Sequence, residues 1–116
     1  MSLAGALSRV NPWTLLFIAG ALEIGWAIGL KYTRGFTKPL PSVATILTMA
    51  ASMFLLAVAV RTIPIGTGYA VWTGVGAAGT AIIGMALLGE PITLVRIGCL
   101  GLIVGGIVGL KLSVRG

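Results

Sequence analysis

Four long apolar runs dominate the chain, and short segments rich in charge, glycine and proline separate them. The runs cover residues 13–30, 41–60, 66–88 and 94–112. Each has about 20 residues, which is enough for a helix to cross a hydrocarbon core of about 30 Å. The pattern predicts an all-α membrane protein with four transmembrane helices in one domain spanning residues 1–116. The short connections make consecutive helices antiparallel neighbours.

The composition supports lipid as the solvent and excludes several classes of function. Of the 116 residues, 58% are hydrophobic and 9% charged, whereas soluble domains carry roughly 25% charged residues. The eight Lys and Arg residues lie outside the runs or within three residues of the ends of a run and do not cluster with aromatic residues, so no nucleic acid partner is expected. There is no histidine and one cysteine, which leaves no Cys/His metal site and no intrachain disulfide. We therefore expect no cofactor and no enzyme activity.

Glu23 is the most informative residue, because it is an acid inside the first apolar run. It lies roughly 15 Å along the axis from one end of the run and 10 Å from the other. A charged side chain at this depth costs roughly 3 kcal/mol, and such residues usually serve function. A salt bridge to Lys31 is the purely structural alternative. Glu90, in contrast, stands in a predicted loop and is expected to be solvated.

Aromatic residues and a glycine share helix faces in a way that suits a bound cation. Gly20 and Trp26 lie three residues before and after the acid, so the glycine would leave room and the indole would offer a π surface. Tyr69 and Trp72 are also three residues apart and project from one face of the third run. A belt of aromatics at the membrane surface is the alternative interpretation.

The second run carries a polar stripe of Thr45, Thr48 and Ser52, spaced as one helix face. Their hydroxyl groups would either bond back to their own helix, or Ser52 would orient a carboxylate from a neighbouring helix. The spacing alone leaves both interpretations open.

Two glycine patterns stand in the third and fourth runs. The segment at 74–79 satisfies G-x-G-x-x-G, but no strand precedes it and no acid follows at the required distance, so it is not a dinucleotide site. It suits a bend or close helix packing instead. In the fourth run small residues recur four or so apart, a pattern typical of helix contacts in lipid: Gly98, Gly101, Gly105 and Gly109.

Three stretches together resemble the small multidrug resistance family. They read GALEIGWAIGLKY from Gly20, GFT from Gly35 and PIGTGYAVWTGVG from Pro64. The tryptophan three residues after the acid, together with Ser52, is similar to the guanidinium exporter branch of that family.

The resemblance implies a proton-coupled antiporter that exports guanidinium across a bacterial inner membrane by alternating access. It implies that Glu23 binds proton or substrate and that Trp26 and Ser52 orient this carboxylate. It also implies that Tyr69 and Trp72 shape the pocket. An exporter of drugs or quaternary ammonium cations is the alternative within the family, and a non-transporting small membrane subunit is the alternative outside it. No function is assigned to residues 1–11.

The same resemblance implies an antiparallel homodimer in which Gly98 and Gly105 form the dimer contact. Counting bases independently supports two orientations. Four bases would lie on each side of the membrane: Arg9, Arg61, Lys111 and Arg115 against Lys31, Arg34, Lys38 and Arg96. Because the Lys/Arg difference between sides sets orientation, a zero difference predicts dual topology.

Overall fold

The computed structural model describes residues 2–114, and this part of the chain forms five helices. Their bounds are α1 Leu3–Leu7, α2 Pro12–Thr33, α3 Pro39–Ala59, α4 Ile65–Leu87 and α5 Leu94–Ser113. Helices α2 to α5 are long and apolar enough to cross a membrane, which confirms the predicted all-α fold with four candidate spans. The short helix α1 was not predicted. Arg115, which enters the charge count, lies outside the described residues.

The turn between α2 and α3 reverses the chain within five residues. Thr33 closes α2, and its buried hydroxyl donates to the Leu30 carbonyl at 2.8 Å and accepts from the Phe36 amide at 3.2 Å. Arg34, Gly35 and Phe36 all have positive φ, at 49°, 70° and 65°. This left-handed turn stops the helix and directs the chain into α3, whose first residue is a proline with its φ already suited to a helix.

The apolar core lies at one end of the helix bundle. There the start of α2 meets the end of α3, the start of α4 and the end of α5. The buried residues of this core are Trp13, Leu15, Leu16, Ala19, Val58, Ala59, Ile63, Val71, Trp72 and Ile107. Glu23 stands one helical turn beyond Ala19, the last core residue of α2. The acid therefore lies just past the well-packed end of the bundle.

Helix α2 is the centre of the bundle and α5 is its least covered member. Helix α2 packs against both α3 and α4, and α5 packs mainly against α4. Ile107 is the one residue of α5 that is buried in the chain. The predicted glycine ladder of α5 thus lies on a face that no other part of residues 2–114 covers.

Candidate cation-binding site

The carboxyl group of Glu23 lies against Gly76 of α4, where any larger residue would displace it. A Cβ atom on Gly76 would come within 2.7 Å of the Glu23 Oε1 atom, closer than real contacts allow. From the sequence, Gly20 was expected to make this room. Gly20 instead packs against α4 itself, where its added Cβ would lie 2.6 Å from Cγ1 of Val75. The room for the carboxyl group is therefore provided by Gly76, a residue of the glycine pattern that carried no functional role in the sequence.

Helices α2 and α4 run parallel along this contact. Their contacting residues advance together along both helices: Gly20 with Val75, Glu23 with Gly76 and Ile24 with Gly79. Residues one turn after Glu23 on α2 are therefore level with residues one turn after Gly76 on α4.

Glu23 has no hydrogen-bond or ion-pair partner among residues 2–114. Its Oε2 atom is buried and unpaired. The alternative salt bridge to Lys31 does not form, and the ion pair found in this part of the chain joins Glu90 Oε1 to Arg96 Nη2 at 2.8 Å. Glu90 is exposed, as expected, and in addition it forms this ion pair with Arg96 at the start of α5, which was not predicted. Burying a charged oxygen without a partner is costly, so this partly buried carboxyl group is suited to take up a cation or a proton.

Two further buried polar atoms without a partner lie one turn beyond the acid: Trp26 Nε1 and Thr80 Oγ1. Trp26 follows Glu23 by three residues on α2, and Thr80 follows Gly76 by four on α4, so both lie on the same side of the contact. The indole N–H is a donor, and the threonine hydroxyl both donates and accepts. Sequence reasoning missed Thr80, although a hydroxyl placed four residues after the glycine opposite an acid shares that glycine's helix face.

Ser52 links three helices but does not contact the carboxylate. Its side chain is fully buried at 0% exposure, and its hydroxyl donates to the Ala19 carbonyl of α2 at 2.6 Å. The same oxygen accepts a hydrogen bond from Trp72 Nε1 of α4 at 2.9 Å. Ala19 precedes Glu23 by one helical turn, so Ser52 holds the backbone that carries the acid. Thr48, in contrast, bonds back to the Ala44 carbonyl of its own helix.

The two aromatic residues of α4 lie side by side with very different exposure. The ring centroids of Tyr69 and Trp72 are 5.6 Å apart with the planes tilted by 53°. Trp72 is 6% exposed, whereas Tyr69 is 56% exposed. Trp72 therefore belongs to the buried network around Ser52, and Tyr69 extends that aromatic surface outward. Gly98 and Gly105 are not part of this site, because they lie on the uncovered face of α5.

Comparison with known proteins places this arrangement in a family. A family model described as "Small Multidrug Resistance protein" matches residues 11–103. A "Guanidinium exporter" of Yersinia pseudotuberculosis serotype I (strain IP32953) is 60% identical over 101 residues, covering 87% of this chain and 97% of that protein. A protein of the same name from Citrobacter freundii is 59% identical over 101 residues, covering 87% and 96%. The chain therefore belongs to the small multidrug resistance family.

Proposed function

We propose that this protein is a guanidinium exporter of a bacterial inner membrane that couples export to proton uptake. The observation that carries the proposal is the unpaired carboxyl group of Glu23, whose Oε2 atom is buried, in the middle of a membrane-spanning helix. The relatives named guanidinium exporters support the choice of substrate.

Proton and cation would exchange because they compete for one carboxylate. Guanidinium is planar and presents only N–H donors, so it forms two parallel hydrogen bonds with a carboxylate. The Thr80 oxygen, one helical turn beyond the acid, offers one more acceptor. The Trp26 N–H cannot bond a cation that has no acceptor, and it is free to orient the carboxylate while its ring face attracts positive charge. Substrate affinity should fall as the pH falls, because protons then occupy the acid.

Alternating access requires that this site open to one side of the membrane at a time. We propose that two copies assemble in opposite orientations, so that the inward-open and outward-open states become equivalent by symmetry. The uncovered glycine face of α5 supports an assembly role for that helix. The equal number of bases on the two predicted sides supports both orientations.

Liposomes that contain only this chain provide the direct test. Guanidinium added on one side should drive proton movement, and Glu23→Gln should abolish that movement while dimers still form. Glu90→Gln removes the other acid of the chain and should leave transport intact. Transport of guanidinium by the Glu23→Gln variant would contradict the proposed site. Transport of a large quaternary ammonium cation but not guanidinium would instead identify a drug exporter, and no transport of either would favour a non-transporting subunit.

Orientation is tested separately with a single cysteine. Cys99 is exposed and is first replaced by alanine, and Ser113 at the end of α5 is then replaced by cysteine. A membrane-impermeant reagent applied to intact cells should label roughly half of the molecules, since the charge balance gives no preferred orientation. Labelling of nearly all or nearly none would contradict dual topology.

A further inference from the structure

A cationic cavity of about 570 Å³ opens at the end of the bundle where the start of α2 meets the end of α5. Arg9 and Lys111 both line it, together with Ser8, Val10, Asn11, Pro12, Trp13, Thr62, Ile63 and Val114. Two of its polar side chains are already used, since Ser8 donates to the Gly5 carbonyl and Asn11 caps α2. Among residues 2–114, no carboxylate side chain lines the cavity, so its two bases are available to an anion.

Lys111 connects this cavity with an apolar one. Its Nζ atom lies 4.9 Å from the centroid of the Trp13 ring. The same lysine lines a second cavity of about 400 Å³ between α2, α4 and α5. Apolar residues form most of the wall of this second cavity, among them Phe17, Ile24, Val75, Val104, Val108 and Leu112. A positively charged end thus continues into an apolar groove that runs along the spanning helices toward the middle of the bundle.

We propose that these two cavities together bind one anionic phospholipid. The phosphate lies between Arg9 and Lys111, where charged donors match phosphate oxygens, and an acyl chain lies in the apolar groove. The position fits a lipid, because the ends of spanning helices lie at the level of the headgroups and Trp13 is of the residue type enriched there. Arg9 belongs to the segment before residue 11, where the family match begins. The proposal therefore gives residues 1–11 a role, and it does not depend on which substrate the protein transports.

A basic cavity at the opposite end of the bundle serves as the matched comparison. It measures about 470 Å³ and is lined by Lys31, Tyr32, Arg34, Lys38 and Pro41. None of these residues lines the apolar groove. This cavity therefore offers positive charge without a place for an acyl chain.

The experiment measures binding of phosphatidylglycerol to the full chain in neutral detergent, by native mass spectrometry and by the rise of the thermal unfolding midpoint. Replacing both Arg9 and Lys111 by Gln should weaken binding roughly thirtyfold, the effect of two bases near a membrane surface. Lys31→Gln with Lys38→Gln makes the same change in net charge and should leave binding nearly unchanged. Arg9→Gln alone should weaken lipid binding less than the double variant does. Because Arg9 lies outside the four spans, this loss of binding cannot come from unfolding of the spans.

Two further binding measurements distinguish a lipid from a free anion and test the role of the apolar groove. Phosphatidylcholine should bind more weakly than phosphatidylglycerol, and inorganic phosphate should neither compete with the lipid nor raise the unfolding midpoint. Val104→Phe fills the groove and should weaken lipid binding while leaving the bases in place. Equal losses in the two double variants, equal binding of the two lipids, or full competition by inorganic phosphate would each overturn the proposal.

Discussion

Helices α4 and α5 are both rich in glycine, yet their glycines have opposite surroundings. In α4, added Cβ atoms on Gly74, Gly76 and Gly79 would run into side chains of neighbouring helices. In α5, five glycines have no atom of another residue within 4 Å of such a Cβ: Gly98, Gly101, Gly105, Gly106 and Gly109. The same residue type at similar density therefore serves contacts inside the chain in one helix and leaves a bare face in the next.

The difference shows which glycines make helix contacts within residues 2–114 and which do not. Lipid tails are as apolar as leucine, so burial of apolar surface does not drive spanning helices together, and close approach at small residues does. Gly76 and Gly79 of α4 lie against side chains of α2, and Gly76 leaves room for the acid. The glycines of α5 have no such contact within residues 2–114, which is consistent with the assembly with a second copy proposed above.

The largest effect is expected from closing the space at Gly76. Gly76→Ala places a methyl group where the Glu23 carboxyl now lies, so the acid must leave its position. We expect loss of guanidinium-driven proton movement in liposomes, with the helix content unchanged in far-UV circular dichroism. Gly66→Ala is the matched control in the same helix, because its added Cβ meets nothing within 4 Å. If the Gly76→Ala variant transported as the parent does, the contact with α4 would have no importance for the site.

The next effect tests the bare face of α5. Gly105→Leu should weaken dimerisation roughly tenfold to hundredfold, since overpacking costs roughly 1–3 kcal/mol. Gly105→Ala should act in the same direction and less strongly. Energy transfer between labelled copies, measured on dilution into excess lipid, reports the change. An unaltered dimer in the leucine variant would show that this face is covered by lipid alone.

A smaller effect on stability is expected from replacing Ser52 of α3, and Thr48 of the same helix is its control. Ser52→Ala removes the acceptor of the buried Trp72 N–H and the link to α2, and should lower the free energy of unfolding by roughly 1–2 kcal/mol. Thr48→Ala breaks only a bond within its own helix and should cost less than about 0.5 kcal/mol. Equilibrium unfolding in detergent compares the two. Equal costs would mean that the three-helix link adds nothing beyond an ordinary helix bond.

Hydropathy was enough to predict the four spanning helices, because the length of an apolar run must match the thickness of the membrane. It could not predict how each helix is rotated about its axis. Both lipid and the bundle interior are apolar, so the sequence shows no clear buried face. For this reason Gly20 was expected beside the acid when Gly76 is there, and Ser52 was expected on the carboxylate when it holds the backbone at Ala19. The ion pair of Glu90 was missed because it depends on the course of the α4–α5 loop.

Thr80 gives the last and smallest prediction, in which stability and binding change in opposite directions. Several helical hydroxyls bond back to a carbonyl of their own helix, as those of Thr33, Thr48 and Ser113 do, whereas the buried Thr80 oxygen has no partner. Thr80→Val keeps the shape and removes that unpaired group. Without substrate, the variant should be as stable as the parent or more stable by up to about 1 kcal/mol.

Binding should respond the other way, because the same hydroxyl offers an unpaired acceptor one helical turn beyond Glu23. We expect Thr80→Val to weaken guanidinium binding several-fold, measured by isothermal titration, and Thr80→Ser, which keeps the hydroxyl, to bind like the parent. Tetramethylammonium has no N–H group, so its affinity should be the same in all three proteins. A valine variant that binds guanidinium as tightly as the parent would mean that the hydroxyl is only an unpaired group of the packing. If Thr80→Val loses more affinity for guanidinium than for tetramethylammonium, the Thr80 hydroxyl is a second acceptor of the cation site, in addition to Glu23.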